Sequence, residues 1–374
     1  MGVPTLEDLG DVSGRRVLLR ADFNVPVSAG AITDDLRIRA ALPTIEWLAE
    51  RGAKVTACSH LGRPAGVPDA ALSLDPVRDR LAELAPGVDL LENLRFDPGE
   101  TANDPTFVER LVDGHDLYVN DAFGASHRAH ASVVGPPVLL PSAAGRLLAR
   151  EVEVLLGLRD NPKRPFVAVL GGAKVSDKLG VIDALLHVVD SLVIGGGMCF
   201  TFLAAQGHPI GNSLVEPDHI DACRHLLELG APILLPSDIT ALGPGGEIGK
   251  PEAGGEIRQA GVAIADGWTG LDIGPGTAAE FGDVILDART VLWNGPMGVF
   301  EDRRFEAGTR AVAQAMADTR AFTVVGGGDS AAAVASFELA DRIDHVSTGG
   351  GASLELIEKG DLPGLEALRG APNA

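Results

Sequence analysis

The chain has 374 residues and a formal net charge of −21, with 45% hydrophobic residues but only 4% aromatic ones. Its length predicts two domains, with cores of Ala, Val, Leu and Ile. The acidic balance argues against a general binder of nucleic acid or membrane surfaces. Dense carboxylates repel one another at low ionic strength and are screened by salt, which fits a protein kept soluble in a salty cytoplasm.

The three cysteines, Cys58, Cys199 and Cys223, are widely spaced and form neither a CxxC nor a metal-ligand pattern, so a reducing compartment is expected. Glu7, Asp8 and Asp11 occur early and no basic n-region precedes them, so no signal peptide is expected and the location is read as cytoplasmic. Residues 191–215 contain no Asp, Glu, Lys or Arg. Gly195-Gly196-Gly197, Gln206, Pro209 and Asn212 interrupt them, so they read as strand, glycine turn and buried helix, not a membrane span.

In chain order, residues 16–21 read as a strand ending at Asp22-Phe23-Asn24. Thr33 is a candidate cap for a helix over 34–51, with Pro43 predicting a kink or restart and Gly52 the stop. A strand over 53–58 leads into the loop Ser59-His60-Leu61-Gly62-Arg63-Pro64. Residues 74–85 are helical, and 88–91 form a strand ending in Glu92-Asn93-Leu94-Arg95-Phe96. Residues 106–112 are helical, and the strand 117–119 ends in a loop holding His127, Arg128 and His130. Strands alternating with helices predict a parallel sheet, whose working surface lies outside the C-terminal strand ends. These loops therefore gather Asp22, Asn24, His60, Arg63, Arg95, His127, Arg128 and His130, with Arg37 from the following helix. Arginines paired with neighbouring carboxylates are one reading of that set. Four arginines and a histidine at successive strand ends favour a small anionic ligand, because the guanidinium fork binds phosphate and carboxylate bidentately.

An amphipathic helix over 147–158 and the breaker Asn161-Pro162-Lys163-Arg164-Pro165 mark the domain boundary. Beyond it the alternation resumes, and the strand ends become glycine clusters at 171–172, 195–197, 326–328 and 349–351. Such clusters let a backbone approach a ligand closely, and four of them point to a nucleotide-sized polyanion. No GxGxxG stands in the right frame, so a nicotinamide dehydrogenase is disfavoured. A two-lobed solute-binding protein would need an export signal.

The strand 165–170 runs into Gly171-Gly172-Ala173-Lys174-Val175-Ser176-Asp177-Lys178 and then a helix. Ser176 is the expected N-cap, and two of the chain's six lysines sit four apart. A strand end with exposed amides and a helix dipole attracts phosphate. An ordinary turn with solvated lysines remains the alternative. Residues 241–261 read as a surface hairpin or flexible loop. Residues 268–275 and 291–301 are further strand-to-loop passages, and the tail 354–368 is helical with breaks at Gly360 and Pro363.

Taken together, RADFNVP, SHLGRP, ENLRF, NDAFGASHRAHAS, LGGAKVSDKLG, GGGMCFTFL, WNGPMGVFE, GGGDS and STGGGASLEL resemble the signatures of the phosphoglycerate kinase family, in order and over nearly the whole length. The resemblance implies two Rossmann-like α/β domains with parallel sheets facing each other across a cleft. The N-terminal domain (1–150) would bind 3-phosphoglycerate and the C-terminal domain (151–350) Mg-ATP. A helix and linker over 147–165 would connect them, and a tail, 351–374, would return to the first. Carried over by position, the substrate residues are Asp22, Asn24, Arg37, His60, Arg63, Arg95 and Arg128. The nucleotide residues are Lys178, Gly195, Gly196, Gly197, Gly270, Leu271, Asn294, Pro296, Glu301, Gly327, Gly328, Asp329 and Ser330, the last where the family usually shows Thr. Lys174 and Arg37 would meet the transferring phosphoryl group, with Gly350 amides assisting, and Asp329 would hold Mg2+. His127 and His130 are read as structural. A monomer without nucleic-acid or membrane partners is expected.

Overall fold

A computed structural model describes residues 2–229 and 232–372. The chain divides into two compact units, one made of residues up to Leu156 together with those from Gly351 onward, the other of Gly157–Gly350. The chain thus crosses between units twice, each time inside a helix, Arg146–Asp160 and Gly350–Lys359.

The first unit holds five parallel strands, β1 (Arg16–Arg20), β2 (Lys54–Cys58), β3 (Asp89–Leu90), β4 (Leu117–Asn120) and β5 (Ser142–Ala144), in the order β3-β2-β1-β4-β5. β1 and β4 are buried almost throughout, as expected of strands covered on both faces. Strand order reverses between β1 and β4, where Arg20 lies opposite Asn120. A crevice therefore opens beyond their C-terminal ends.

The second unit contains β6 (Phe166–Leu170), β7 (Ser191–Ile194), β8 (Ile233–Leu234), β9 (Asp238–Leu242), β10 (Ile257–Gly261), β11 (Thr269–Ile273), β12 (Thr290–Asn294), β13 (Phe322–Gly326) and β14 (His345–Val346). Six form a parallel sheet in the order β8-β7-β6-β12-β13-β14. Leu170, Asn294, Ile194 and Gly326 sit at matching register, so the loops after β6, β7, β12 and β13 emerge at one level. The order reverses between β6 and β12. A separate antiparallel sheet, β10-β9-β11, was not foreseen as such. Its β9–β10 hairpin is the Gly- and Glu-rich segment, and is the hairpin alternative of the sequence reading.

Three local expectations are corrected. Thr33 caps nothing: its hydroxyl donates to the Pro26 carbonyl, and the helix Leu36–Glu50 begins after Asp35, with Asp34 accepting from the Leu36 amide at 2.8 Å. That helix continues through Pro43 without a restart, its inner face held by Ile38, Ala41, Ile45 and Leu48 in the core. Ser176 is not an N-cap, since the next helix, Leu179–Leu186, starts later. Its hydroxyl and amide donate to Glu216 at 2.6 and 3.0 Å instead.

Asp121, just past β4, sits buried against the start of the helix Arg146–Asp160, whose Leu148 amide donates to its Oδ1 at 3.1 Å. Its Oδ2 has no partner among the described residues. Burial pushes this carboxyl up to about 6, against hydrogen bonds from Thr44 and the helix's first turn. A raised folded-state value means stability that is present below about pH 4 and lost as pH rises through 6. Asp121→Asn is therefore expected to gain on the wild type by about 3 kcal/mol between pH 4 and 7. Urea midpoints of both proteins at those two pH values check this, and an unchanged difference contradicts it.

Candidate functional site

In the first unit the loops beyond the sheet bring most of the expected residues together. Asp22 and Asn24 follow β1, and Arg37 reaches back from its helix to pair with Asp22 at 2.7 Å. Asn24 accepts from the Gly62 amide at 2.9 Å, and the Arg95 guanidinium donates to the Gly62 carbonyl at 2.8 Å. His60 is buried next to Asp22, at 4.0 Å. Burial opposes ionisation of Asp22, but the charges of Arg37 and then Arg20 outweigh it and hold the carboxyl below its usual range. Arg63 and Arg128 are exposed and carry no ion pair among the described residues, so two cations of the set are left without a counter-ion.

Beneath the loops lies a network the sequence reading missed. Arg20 is fully buried at the end of β1. It donates to the Ser132 hydroxyl at 2.8 Å, to the Ala21 carbonyl, and to His60 Nδ1 at 3.2 Å. Glu100, also fully buried, faces it at 4.0 Å and accepts from the Ser132 amide and hydroxyl at 2.9 and 2.6 Å. A guanidinium can only donate, so His60 Nδ1 accepts and the ring proton sits on Nε2. Burial pushes His60 down to about 3, with Asp22 opposing. The imidazole is neutral at pH 7 and offers a donor, not a charge. Arg95 is also lowered, first by burial and then by Arg20, and its Nε is buried without a partner among the described residues. His127 and His130 each have a buried Nδ1 lacking a hydrogen bond among the described residues, and that of His130 lies 3.9 Å from Glu100.

The second unit has two adjoining cavities, both at the reversal of strand order. The polar one, about 370 Å³, is lined by Lys174, Lys178, Asn294, Gly327, Asp329 and Ser330 among others. The apolar one, about 460 Å³, is lined by Gly196, Gly197, Gly270, Leu271, Pro296 and Glu301, together with Phe200, Leu214, Ile248, Met297 and Val299. Gly172, Ala173 and Asp329 belong to both. Phe200, Leu214 and Ile248 were not foreseen. Ile248 comes from the β9–β10 hairpin, whose contacts could not be assigned from sequence.

Two glycines are required here by space. A Cβ on Gly196, whose φ is +64, would lie 2.6 Å from the Gly172 nitrogen and 2.7 Å from the Pro296 oxygen. One on Gly270 would lie 2.3 Å from the Phe200 ring, closing the apolar cavity. The two lysines differ. Lys178 spends all three donors on the Gly171 carbonyl at 2.8 Å, the Asn294 carbonyl at 2.9 Å and Asn294 Oδ1 at 2.7 Å. It ties the end of β6 to the end of β12, and burial pushes it down to about 8. Lys174 is exposed and engages no carboxylate among the described residues. Ser330 accepts from the Gly295 amide at 2.6 Å and keeps its hydroxyl proton to donate. Asn294 Nδ2, at the polar cavity, is buried with no hydrogen-bond partner among the described residues.

Comparison with known proteins decides the family. The sequence model of the family described as phosphoglycerate kinase matches residues 6–89 and 85–360. The chain belongs to the phosphoglycerate kinase family. It is 52% identical over 383 residues to the phosphoglycerate kinase of Rubrobacter xylanophilus, covering 96% of each chain. It is 49% identical over 401 residues to that of Roseiflexus castenholzii, covering 99% of this chain and 100% of the relative. Among solved structures, phosphoglycerate kinase from Coxiella burnetii matches with a TM-score of 0.87 at 38% identity, over 98% of this chain and 99% of that one. The enzyme from Pyrococcus horikoshii OT3 matches with a TM-score of 0.85 at 31% identity, over 99% of both. Among the described residues no helix is long and apolar enough to cross a membrane.

Proposed function

We propose that the first unit binds 3-phosphoglycerate through Asp22, Asn24, Arg37, His60, Arg63, Arg95 and Arg128, and that the second binds ATP in its paired cavities. As a family member the chain is a nucleotide-dependent kinase that reversibly transfers a phosphoryl group between ATP and the carboxylate of 3-phosphoglycerate in glycolysis. The observation that carries the assignment of residues is the joined pair of cavities. An apolar slot kept open by Gly196 and Gly270 suits a base, and the polar neighbour with Lys174 and Asp329 suits the phosphates.

The acceptor carboxylate is ionised at neutral pH, so no general base is needed. The work is electrostatic: two anions are brought together and the charge of the moving group is held. Arg63 and Arg128, without carboxylate partners, supply charge to the acceptor, and neutral His60 supplies an oriented Nε2–H. Arg37 and Lys174 meet the transferring group, with amides of the Gly350 turn at the start of its helix. Lys178 and Ser330 hold the loops of the polar cavity in place. Since acceptor and donor residues belong to different units, turnover requires closure of one on the other.

Asp329 fits a Mg2+ site: it is exposed at the head of the helix Gly328–Ser336, touches both cavities and has no ion pair among the described residues. No cluster of three or more His, Cys, Asp or Glu competes among the described residues. A single carboxylate suffices for Mg2+, which takes phosphate oxygens and waters as its other ligands and neutralises phosphate charge. The location is proposed as cytoplasmic and the protein as a monomer.

The test is a pair of variants assayed with both substrates varied. Arg63→Ala is expected to raise KM for 3-phosphoglycerate about tenfold or more and leave KM for ATP unchanged. Asp329→Asn is expected to do the reverse. Equal effects on both constants in either variant contradict the assignment.

A further inference from the structure

The β9–β10 hairpin is strapped to the turn that follows Glu301. The Gly249 amide donates to Asp302 Oδ2 at 2.9 Å, and Arg304 Nη2 donates to the Glu247 carbonyl at 2.7 Å. Asp302 and Arg304 are themselves joined by three side-chain hydrogen bonds at 2.6–3.2 Å. The pair is shielded, with side-chain exposures of 15% for Arg304 and 2% for Asp302, so water screens it weakly. Arg304 first, and the Gly249 amide with it, hold the Asp302 carboxyl far below its usual range. The strap grips the residues on either side of Ile248. That side chain is 51% exposed yet lines the apolar cavity. The same turn is fixed to residues that line the cavity, since the Asp302 amide donates to the Val299 carbonyl and the Val299 amide to the Leu271 carbonyl, at 3.0 and 2.9 Å. Leu242, at the end of β9, packs with Leu271, Phe305 and Val299 below.

An exposed aliphatic side chain on a hairpin tip has many accessible positions, and ordering it carries an entropic cost. Here that cost is met before any ligand arrives, because the backbone on both sides is clamped by a shielded ion pair. We propose that Asp302 and Arg304 are positioning residues that hold Ile248 over the mouth of the apolar cavity, so that the hairpin closes on the face of the nucleotide's base. The ion pair touches neither phosphates nor acceptor; it acts through Ile248. This rests on placing the base in the apolar cavity.

Steady-state kinetics of Ile248→Ala, Arg304→Ala, Arg304→Lys and the Ile248→Ala/Arg304→Ala double variant test the proposal, with inhibition by inorganic tripolyphosphate as a probe lacking a base. Leu214→Ala serves as control, since Leu214 lines the same cavity beside Gly197 and takes no part in the strap's hydrogen bonds. Ile248→Ala and Arg304→Ala are each expected to raise KM for ATP about five- to tenfold. The double variant is expected to be no worse than the worse single one, and Arg304→Lys to recover part of the loss. The constants for 3-phosphoglycerate and tripolyphosphate, and kcat, should stay within about twofold. A merely structural role would lower the melting temperature without this split.

If Leu214→Ala weakens ATP while Ile248→Ala and Arg304→Ala do not, the strap is overturned and the cavity assignment survives. If none of the three changes KM for ATP, the cavity assignment falls and the strap with it. Additive losses in the double variant, or equal loss of tripolyphosphate, also overturn it.

Discussion

Lys174→Ala is expected to lower kcat by about a hundred- to a thousandfold while moving KM for ATP only severalfold. The reason lies in the contrast between the two lysines of the turn after β6. Lys178 has all three N–H donors committed to Gly171 and Asn294. It is a rivet between strand ends, at the wall of the polar cavity. Lys174, four residues earlier, is exposed at the polar cavity with its ammonium engaged by no carboxylate among the described residues. A point charge held there gains most when negative charge moves, which is in the transition state and not in bound ATP. Single-turnover and steady-state rates together check this. Parallel loss in affinity and turnover would contradict the assignment of Lys174 to the transferring group.

Glu100→Gln is expected to destabilise the protein by about 3–5 kcal/mol, because it leaves Arg20 buried without its counter-ion. Both side chains are fully buried, and Ser132 bridges them with hydrogen bonds to each. Burying the pair with both partners present is tolerable; removing one charge leaves the other in a low-dielectric site. The second consequence is functional. Arg20 fixes the tautomer of His60 through the Nδ1 contact, so a displaced Arg20 should also raise KM for 3-phosphoglycerate. Urea unfolding of wild type and variant at pH 7 reads the first effect. A midpoint unchanged by Glu100→Gln would show that the network is not what holds Arg20.

Much of this was legible in the sequence because the chemistry sits where a parallel sheet must put it. Asp22, His60 and Arg95 are each within five residues of a strand end and Arg128 lies in the loop after β4, and alternation of strands and helices brings such ends to one side without further information. The glycine loops obeyed the same logic. What escaped is what depends on distant pairing. Arg20 reads as one more residue of an apolar strand, since nothing local says that its partner Ser132 lies 112 positions on. Ser176 has the chemistry of a cap, but Glu216 competes for both of its donors and wins. Ile248 lies in a Gly-rich stretch whose ladder with residues 257–261 is antiparallel, and its place at the cavity follows from Asp302 and Arg304, about fifty residues away. No restart occurs at Pro43 because tertiary packing of four core side chains holds the helix together through it.

We propose that the cluster after β1–β4 receives the acceptor and that the cavities beyond β6, β7, β12 and β13 receive ATP. The most direct measurement is ADP formation from Mg-ATP by the wild type, with and without 3-phosphoglycerate, at low and at multimolar KCl. The expected result is turnover that depends strictly on 3-phosphoglycerate. ATP consumption indifferent to 3-phosphoglycerate, or no turnover at any salt by protein shown to be folded, would contradict the account.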